Sequence, residues 1–474
     1  MRHIIHYILT LACTVTILTG CIEDSFTTSP SSQPRTSVDT LALGTLFTAE
    51  PTPTYSFKIF NPHNKSLNIS SITMRDDPDR YFRLNVDGIA ANSFADIEIR
   101  HNDSIFVFVE ATLPDLDLDR PTPYKRHLDI TTNGVTSTVV ITATGLDATR
   151  LRKQVISADT HLDASRPYII YDTLRVTPGA TLTLEAGTRL HFHDKASLIV
   201  DGTLRSLGTP HATVEMTGDR WGNVVGRVDY EIMSGQWGGV YFSPSSRDNS
   251  MQYTSIRNTC DGVTIDSVPY TEFSPSLRML NCQLRNSKGY VLVSSYSSVE
   301  ALGCELADAS MGVVALQGGT ARLVNCTIAN YYLFSALGGP ALQFYHSDPD
   351  NANPDTDLPL LSATIDNCII YGNGYDLSHG DLTGTDIFLR NCLLKSEGSD
   401  DDNFISCLWG LDPLYGTVRQ DYHFDYRLQP ESPAIGAADP ALIPAELTDD
   451  MYGHPRLPDP NLGAYAQPIE SPQE

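Results

Sequence analysis

Cys282, Cys304 and Cys326 stand 22 residues apart, and each is followed two positions later by Leu or Ile. The phrase returns at Cys368 in ATIDNCIIYGN and at Cys392 in IFLRNCLLKSE, after longer or altered intervals. A fixed period of this length is the signature of a solenoid. Strand alternation places each cysteine and its following aliphatic on one face, and coils stack about 4.8 Å apart, so equal positions pile into columns. The five cysteines are therefore expected in one internal column. Cys260 also precedes Cys282 by 22 residues, but YTSIRN aligns with NCQLRN when Thr254 stands opposite Cys282, which leaves Cys260 outside the column.

Other roles for these thiols fail on geometry. Zinc needs ligands converging tetrahedrally on a point, and a straight stack pointing one way cannot supply them. A disulfide needs Cβ atoms about 3.5–4.5 Å apart and turned toward each other, so bridging stacked rungs would strain the coil. Packing remains, with the thiols free and unreactive until the chain unfolds. Asn286, Asp308 and Asn330 repeat at the same interval, four residues after the first three cysteines. They are expected in the left-handed turns that end each strand.

The 474 residues allow two or three domains, and the formal net charge of −25 opposes binding to nucleic acid. The body of the chain has no apolar run long enough to span a bilayer. Its start, MRHIIHYILTLACTVTILTGC, has Arg2 followed by an apolar run from Ile4 to Leu18, as in a secretory signal peptide. Leu18-Thr19-Gly20-Cys21 resembles a bacterial lipobox. The resemblance implies loss of residues 1–20 and acylation of Cys21, so the partner at this end is a membrane, reached through a lipid anchor. Residues 21–37, rich in Ser, Thr and Pro, read as a flexible tether. Glu23 and Asp24 resemble the acidic signal that places lipoproteins of Bacteroidota on the outer face of the outer membrane.

Residues 38–146 alternate apolar and polar side chains in short runs such as YSFKIFN, SIFVFVEA and TSTVVITATG, which predicts a β-sandwich. The segment resembles the immunoglobulin-like domains at the front of bacterial surface lipoproteins, which implies a spacer or adhesion module. Asp115, Asp117 and Asp119 lie in a loop that lacks the Gly and Glu of a calcium-binding loop, and read as a solvated tip.

After a linker at 147–167, the texture becomes very short strands punctuated by Gly179, Gly187, Gly202 and Gly208, without a helical period. This stretch resembles the opening turns of a right-handed parallel β-helix, expected over residues 168–428 in about ten coils. The closing segment, 429–474, is expected to cap the open end. It carries Ser432-Pro433-Ala434-Ile435, Asp450, Gly453, Arg456 and Gly463-Ala464-Tyr465. With GQWGG, NCTIANY and DNCIIYGN, these make the chain similar to an uncharacterised group of Bacteroidales β-helix lipoproteins. The resemblance implies an all-β fold and an outer-membrane location, with no established activity.

The same fold hosts pectate lyases and polygalacturonases, so catalysis is weighed on residues. Asp376, His379 and Asp381 stand beside glycines in YGNGYDLSHGDL, and Asp400, Asp401 and Asp402 follow nearby. No carboxylate pair repeats at the 22-residue interval to put two acids on one face. Asp348, Asp350, Asp355 and Asp357 crowd an inserted loop that could hold a structural calcium, although Pro349 and Pro354 and a missing Glu depart from the standard loop. No other cofactor is implied. His191 and His193 share a strand face but lack a third metal ligand, and read as exposed histidines. Tyr290, Tyr296, Tyr331, Tyr332, Tyr345 and Tyr371 are candidate stacking surfaces for sugars. The sequence thus points to a non-catalytic, lipid-anchored surface protein whose flank binds a glycan or a partner protein. The alternative is a polysaccharide lyase or glycoside hydrolase centred on Asp376, His379 and Asp381.

Overall fold

A computed structural model of the chain describes residues 25–225, 228–271, 274–345 and 361–469. The leader, Cys21 and the calcium candidates Asp348, Asp350, Asp355 and Asp357 lie outside the described residues. Among the described residues the elements are strands, apart from three-residue 3-10 turns at Tyr230–Ile232, Arg419–Asp421 and Pro440–Leu442. None of them is a helix long and apolar enough to cross a membrane. The chain divides into two compact units, at Asp147 and Ala148.

The first unit has two five-stranded sheets, with Tyr55–Phe60 and Ser104–Ala111 inside one and Leu67–Arg75 and Thr122–Thr132 inside the other. Alternation decides which side chains face inward. In Ser104–Ala111, Ile105, Val107, Val109 and Ala111 are buried, and they share one core with Ile69, Ile72, Leu128 and Ile141 of the other sheet. Each fully buried Val, Leu or Ile stabilises by about 1.5–3 kcal/mol. In the acidic loop, the buried Asp147 carboxylate accepts from the backbone N–H of Leu116 (3.1 Å) and Leu118 (2.8 Å) and from the Thr48 hydroxyl (2.6 Å). The loop's shape thus comes from a buried acid outside the Asp115-Asp117-Asp119 run.

The second unit is a 26-stranded sheet whose strands pair in parallel with the strand one coil later. Three stacks result, and the chain visits them in turn. Stack I includes Arg189–Phe192, Val214–Gly218, Thr254–Arg257, Gln283–Ser287, Glu305–Ala309, Thr327–Asn330 and Ile369–Gly372. Stack II includes Ser197–Val200, Gly239–Phe242 and Val263–Asp266, and stack III includes Thr203–Leu207, Asn249–Gln252 and Leu277–Leu280. The long strands Tyr290–Leu302 and Gly312–Val324 bend to serve II and then III. This is β-helix-like pairing. It starts earlier than the sequence suggested: Thr149–Ile156, read as linker, already pairs in parallel with Tyr168–Val176. As the terminal strand it carries Arg150, Arg152 and Lys153, charges that protect a sheet edge and blur the apolar alternation.

Cys282, Cys304, Cys326, Cys368 and Cys392 are free and fully buried at the corner where stack III turns into stack I. The column is continuous: Cys304 Sγ accepts from Cys282 N–H (3.4 Å), and Cys368 Sγ from Cys326 N–H (3.3 Å). Burial holds the Cys304 and Cys368 thiols well above their ordinary range. Cys407 extends the column by one rung, its Sγ donating to Leu389 O, and burial pushes its thiol up to about 12. The residue before each column cysteine is left-handed: Asn281, Gly303, Asn325, Asn367 and Asn391, with φ between 49° and 66°.

The column of Asn286, Asp308 and Asn330 behaves differently from the reading above. Asn286 and Asp308 have positive φ and Asn330 does not. Asn286 and Asp308 bind segments laid against the coils, and Asn330 binds the preceding rung. Asn286 donates to Glu231 O (3.0 Å), Asp308 accepts from Tyr426 OH (2.6 Å), and Asn330 donates to Ala309 O (2.9 Å).

The C-terminal segment also departs from expectation. Residues 411–469 run along the outer face of stack I as a strap. Ala307, Ala329, Ile369 and Leu393 make that face apolar, and Tyr415, Tyr426, Leu428, Leu462 and Tyr465 cover it. The column asparagines register the strap: Asn391 donates to Ala437 O, Asn367 to Asp439 O, Asn325 to Asn461 O and Asn281 to Asp449 O (2.8–3.1 Å). Glycine replaces asparagine at 303 because a Cβ there would lie 2.8 Å from Leu447 Cδ1 and 2.9 Å from Arg456 Nη2. Arg456 and Asp450 brace the strap from within. The guanidinium donates to Gly463 O and Ala464 O, and the carboxylate accepts from the backbone of Tyr452, His454 and Ala466.

Candidate functional site

The strap covers only part of stack I. Outward-facing Glu215, Thr217, Ser255, Arg257 and Gln283 stay beyond it, on rungs Val214–Gly218, Thr254–Arg257 and Gln283–Ser287. Two cavities of about 210 and 180 Å³ lie over them and meet at Glu215 and Arg257. Together they form a groove. One end is walled by Trp221 and Glu231 and the other by Tyr253 and Tyr452.

The wall at Trp221 comes from an insertion between Val214–Gly218 and Gly239–Phe242, longer than any turn of the repeat. Polar side chains of the coils fasten it. Asn258, itself left-handed, donates to the carbonyls of Tyr230, Glu231 and Met233 (2.8–3.1 Å) and accepts from Thr217 Oγ1 (2.6 Å). Trp237 closes the core beneath, stacked on Phe192 at 4.0 Å, and its Nε1 donates to Arg257 O. At the other end Tyr452 is 48% exposed and packs at 5.8 Å on Tyr465.

The groove mixes signs. Arg257 lies 3.7 Å from Glu231, and Arg220 sits over the Tyr230 ring. His191, expected to be exposed, is buried with its ring 5.4 Å from that of Trp221. Burial pushes its imidazole down to about 4, so at neutral pH it is uncharged. His193 turns elsewhere, 2.6 Å from Asp219 and packed on Tyr171. The two histidines therefore share no ligand point, and the described residues hold no group of three or more metal-ligating side chains.

The catalytic candidates are placed separately. Asp376 is buried and both its oxygens accept from Ser396, one from the hydroxyl (2.5 Å) and one from the backbone N–H (2.8 Å). His379 lies on Phe404 and contacts Gly380 O, and Asp381 accepts from Thr383 N–H. Asp400 accepts from Ser406, Cys407 and Trp409, a turn brace.

The tyrosines divide as well. Tyr331 and Tyr371 pack beneath the strap, Tyr331 against Tyr415 and Tyr426. Tyr332 is buried, with its hydroxyl 2.6 Å from Ser234 Oγ. Tyr290 and Tyr345 lie together on stack II, where Tyr290 OH donates to Gln343 and burial raises it to about 12. Tyr296 is half-exposed at a bend, with φ 48°. Of the aromatics that border the groove, Trp221 comes from the long interval between 218 and 239, the one sequence signal among them, whereas Tyr253 opens the rung phrase YTSIRN and Tyr452 belongs to the strap.

No family model and no curated protein sequence match the chain. Among solved structures, one partial match is a family 123 glycoside hydrolase from Clostridium perfringens, from work on glycolipid glycan hydrolysis. The identity is 8% and the TM-score 0.18, over 25% of this chain and 26% of that one, a likeness too slight to carry any argument.

Proposed function

We propose that the protein is a non-catalytic, lipid-anchored protein of the outer membrane, facing the cell surface, that binds a glycan in the groove on stack I. In this reading the second unit is a right-handed parallel β-helix of about ten coils. The first is an immunoglobulin-like sandwich serving as spacer, and Cys21 carries the lipid. The observation that carries the binding role is the limited reach of the strap. It covers the apolar rungs, and beyond it lies a groove of Glu215, Arg257 and Gln283 bordered by Trp221 and Tyr452. Paired donors and acceptors between aromatic rings suit the hydroxyls and apolar faces of sugars. The net charge of −25 supports a partner other than nucleic acid.

The rival is a polysaccharide lyase or glycoside hydrolase. It draws on the carboxylates Glu215, Asp229 and Glu231 in the same groove, since Asp376 is engaged by Ser396. A polysaccharide array, scored for retention and for new reducing or unsaturated ends, separates the readings. Retention without cleavage, lost in Trp221→Ala, supports binding. Cleavage lost in Glu215→Gln would establish the rival, and no signal of either kind would turn the search to a protein partner.

A further inference from the structure

A separate cavity, of about 520 Å³, opens on the turns that leave stack I near its C-terminal end, among residues 337–339, 373–376 and 395–396. Tyr375 stands at it 83% exposed, although its backbone is fixed by Ala341 N–H donating to its carbonyl (2.9 Å). A ring held out on a pinned turn beside a cavity is a stacking platform.

The polar groups around it are biased toward donors. Lys395 is half-buried, and its Nζ donates to Gly374 O (2.8 Å). Among the described residues no carboxylate lies within 4.0 Å of that ammonium. The one acid lining the cavity, Asp376, has both oxygens occupied by Ser396. Asn373 is best assigned with its amide oxygen toward the Arg419 guanidinium (2.7–3.2 Å), which sets a second cation behind it. In a chain of net charge −25, this cavity has an anchored cation, and its one acid is buried and hydrogen-bonded to Ser396.

We propose that this cavity binds a sugar ring bearing an anionic substituent, a carboxylate or a sulfate, with Tyr375 under the ring and Lys395 on the anion. A flexible Lys acts on such a group as a point charge and tolerates either geometry. The site uses no residue of the groove on stack I.

The test titrates the full chain calorimetrically with glucuronate, glucose 6-sulfate and glucose. At least one anionic sugar is expected to bind ten or more times more tightly than glucose, and which one binds identifies the anion. Tyr375→Ala, a substitution at an exposed ring that leaves the fold intact, should weaken that binding at least fivefold. Lys395→Gln should abolish the preference over glucose, and the affinity for the anionic sugar should survive Trp221→Ala. Equal binding of all three sugars, no binding of either anionic sugar, or a preference surviving Lys395→Gln would overturn the proposal. Loss of binding in Trp221→Ala alone would assign the anionic sugar to the groove and equally overturn it.

Discussion

The strap is latched to stack I by a buried charged cluster, and Glu305→Gln tests what that latch contributes. Glu305 is fully buried, its carboxylate lies 2.5 Å from the Arg285 guanidinium, and Tyr465 OH of the strap donates to it. Arg285 also faces the ring of Tyr426, whose hydroxyl donates to Asp308. Neutralising Glu305 leaves the guanidinium without its nearest carboxylate, and breaking a buried pair in this way costs about 3–5 kcal/mol. The loss falls on the strap, because Tyr465 and Tyr426 belong to it, while the core of stack I keeps its apolar contacts. Native-state hydrogen exchange should therefore show protection across 448–466 falling by a factor of roughly 150 to 5,000, each 1.36 kcal/mol being tenfold. Protection at the inward residues Leu284, Leu306 and Ile328 should hold. The double substitution Arg285→Leu with Glu305→Leu should cost less than Glu305→Gln alone, since it leaves no unpaired charge. A loss below about 1 kcal/mol, or an equal loss in strap and core, would refute the idea of a separately latched strap.

Three further outcomes follow from the geometry. The five column thiols should stay unlabelled by a thiol reagent in the native state and react on denaturation; rapid native labelling would contradict their burial. Burial raises the Asp308 carboxyl to about 6. A carboxyl whose folded value lies above its unfolded one adds stability at low pH that is lost as pH rises through the folded value. Strap protection should therefore increase from pH 7 to pH 5, by about 1.3 kcal/mol, and Asp308→Asn should flatten the profile. His191 has the opposite sense: its folded value of about 4 lies below the ordinary one, so its contribution is present above pH 6.5 and lost as pH falls through 4. Acidification should change the tryptophan fluorescence of Trp221 with a midpoint near 4, and His191→Gln should remove that transition.

The cysteine column was legible because a stacked core repeats its chemistry at fixed intervals: one small apolar side chain fits the corner between stacks III and I, and each coil needs it again. The same corner demands a left-handed residue just before the cysteine, so Asn281, Asn325, Asn367 and Asn391 were readable too, alongside the column of Asn286, Asp308 and Asn330. Cys407 escaped because its rung is short, and Thr149–Ile156 because edge charges hide its alternation. The groove was not legible. Trp221, Arg257 and Tyr452 come from an insertion, a rung and the strap, and no spacing in the chain relates them.

Local periodicity by itself determined the all-β character, the stacked parallel strands and the burial of the thiols, since each follows from residues repeating against their own copies. Tertiary structure alone decided where the C-terminal segment lies, and with it which part of stack I stays open. A strap finds its place through contacts between residues more than a hundred positions apart, such as Tyr465 with Glu305 and Tyr426 with Asp308, and such pairings leave no period to read.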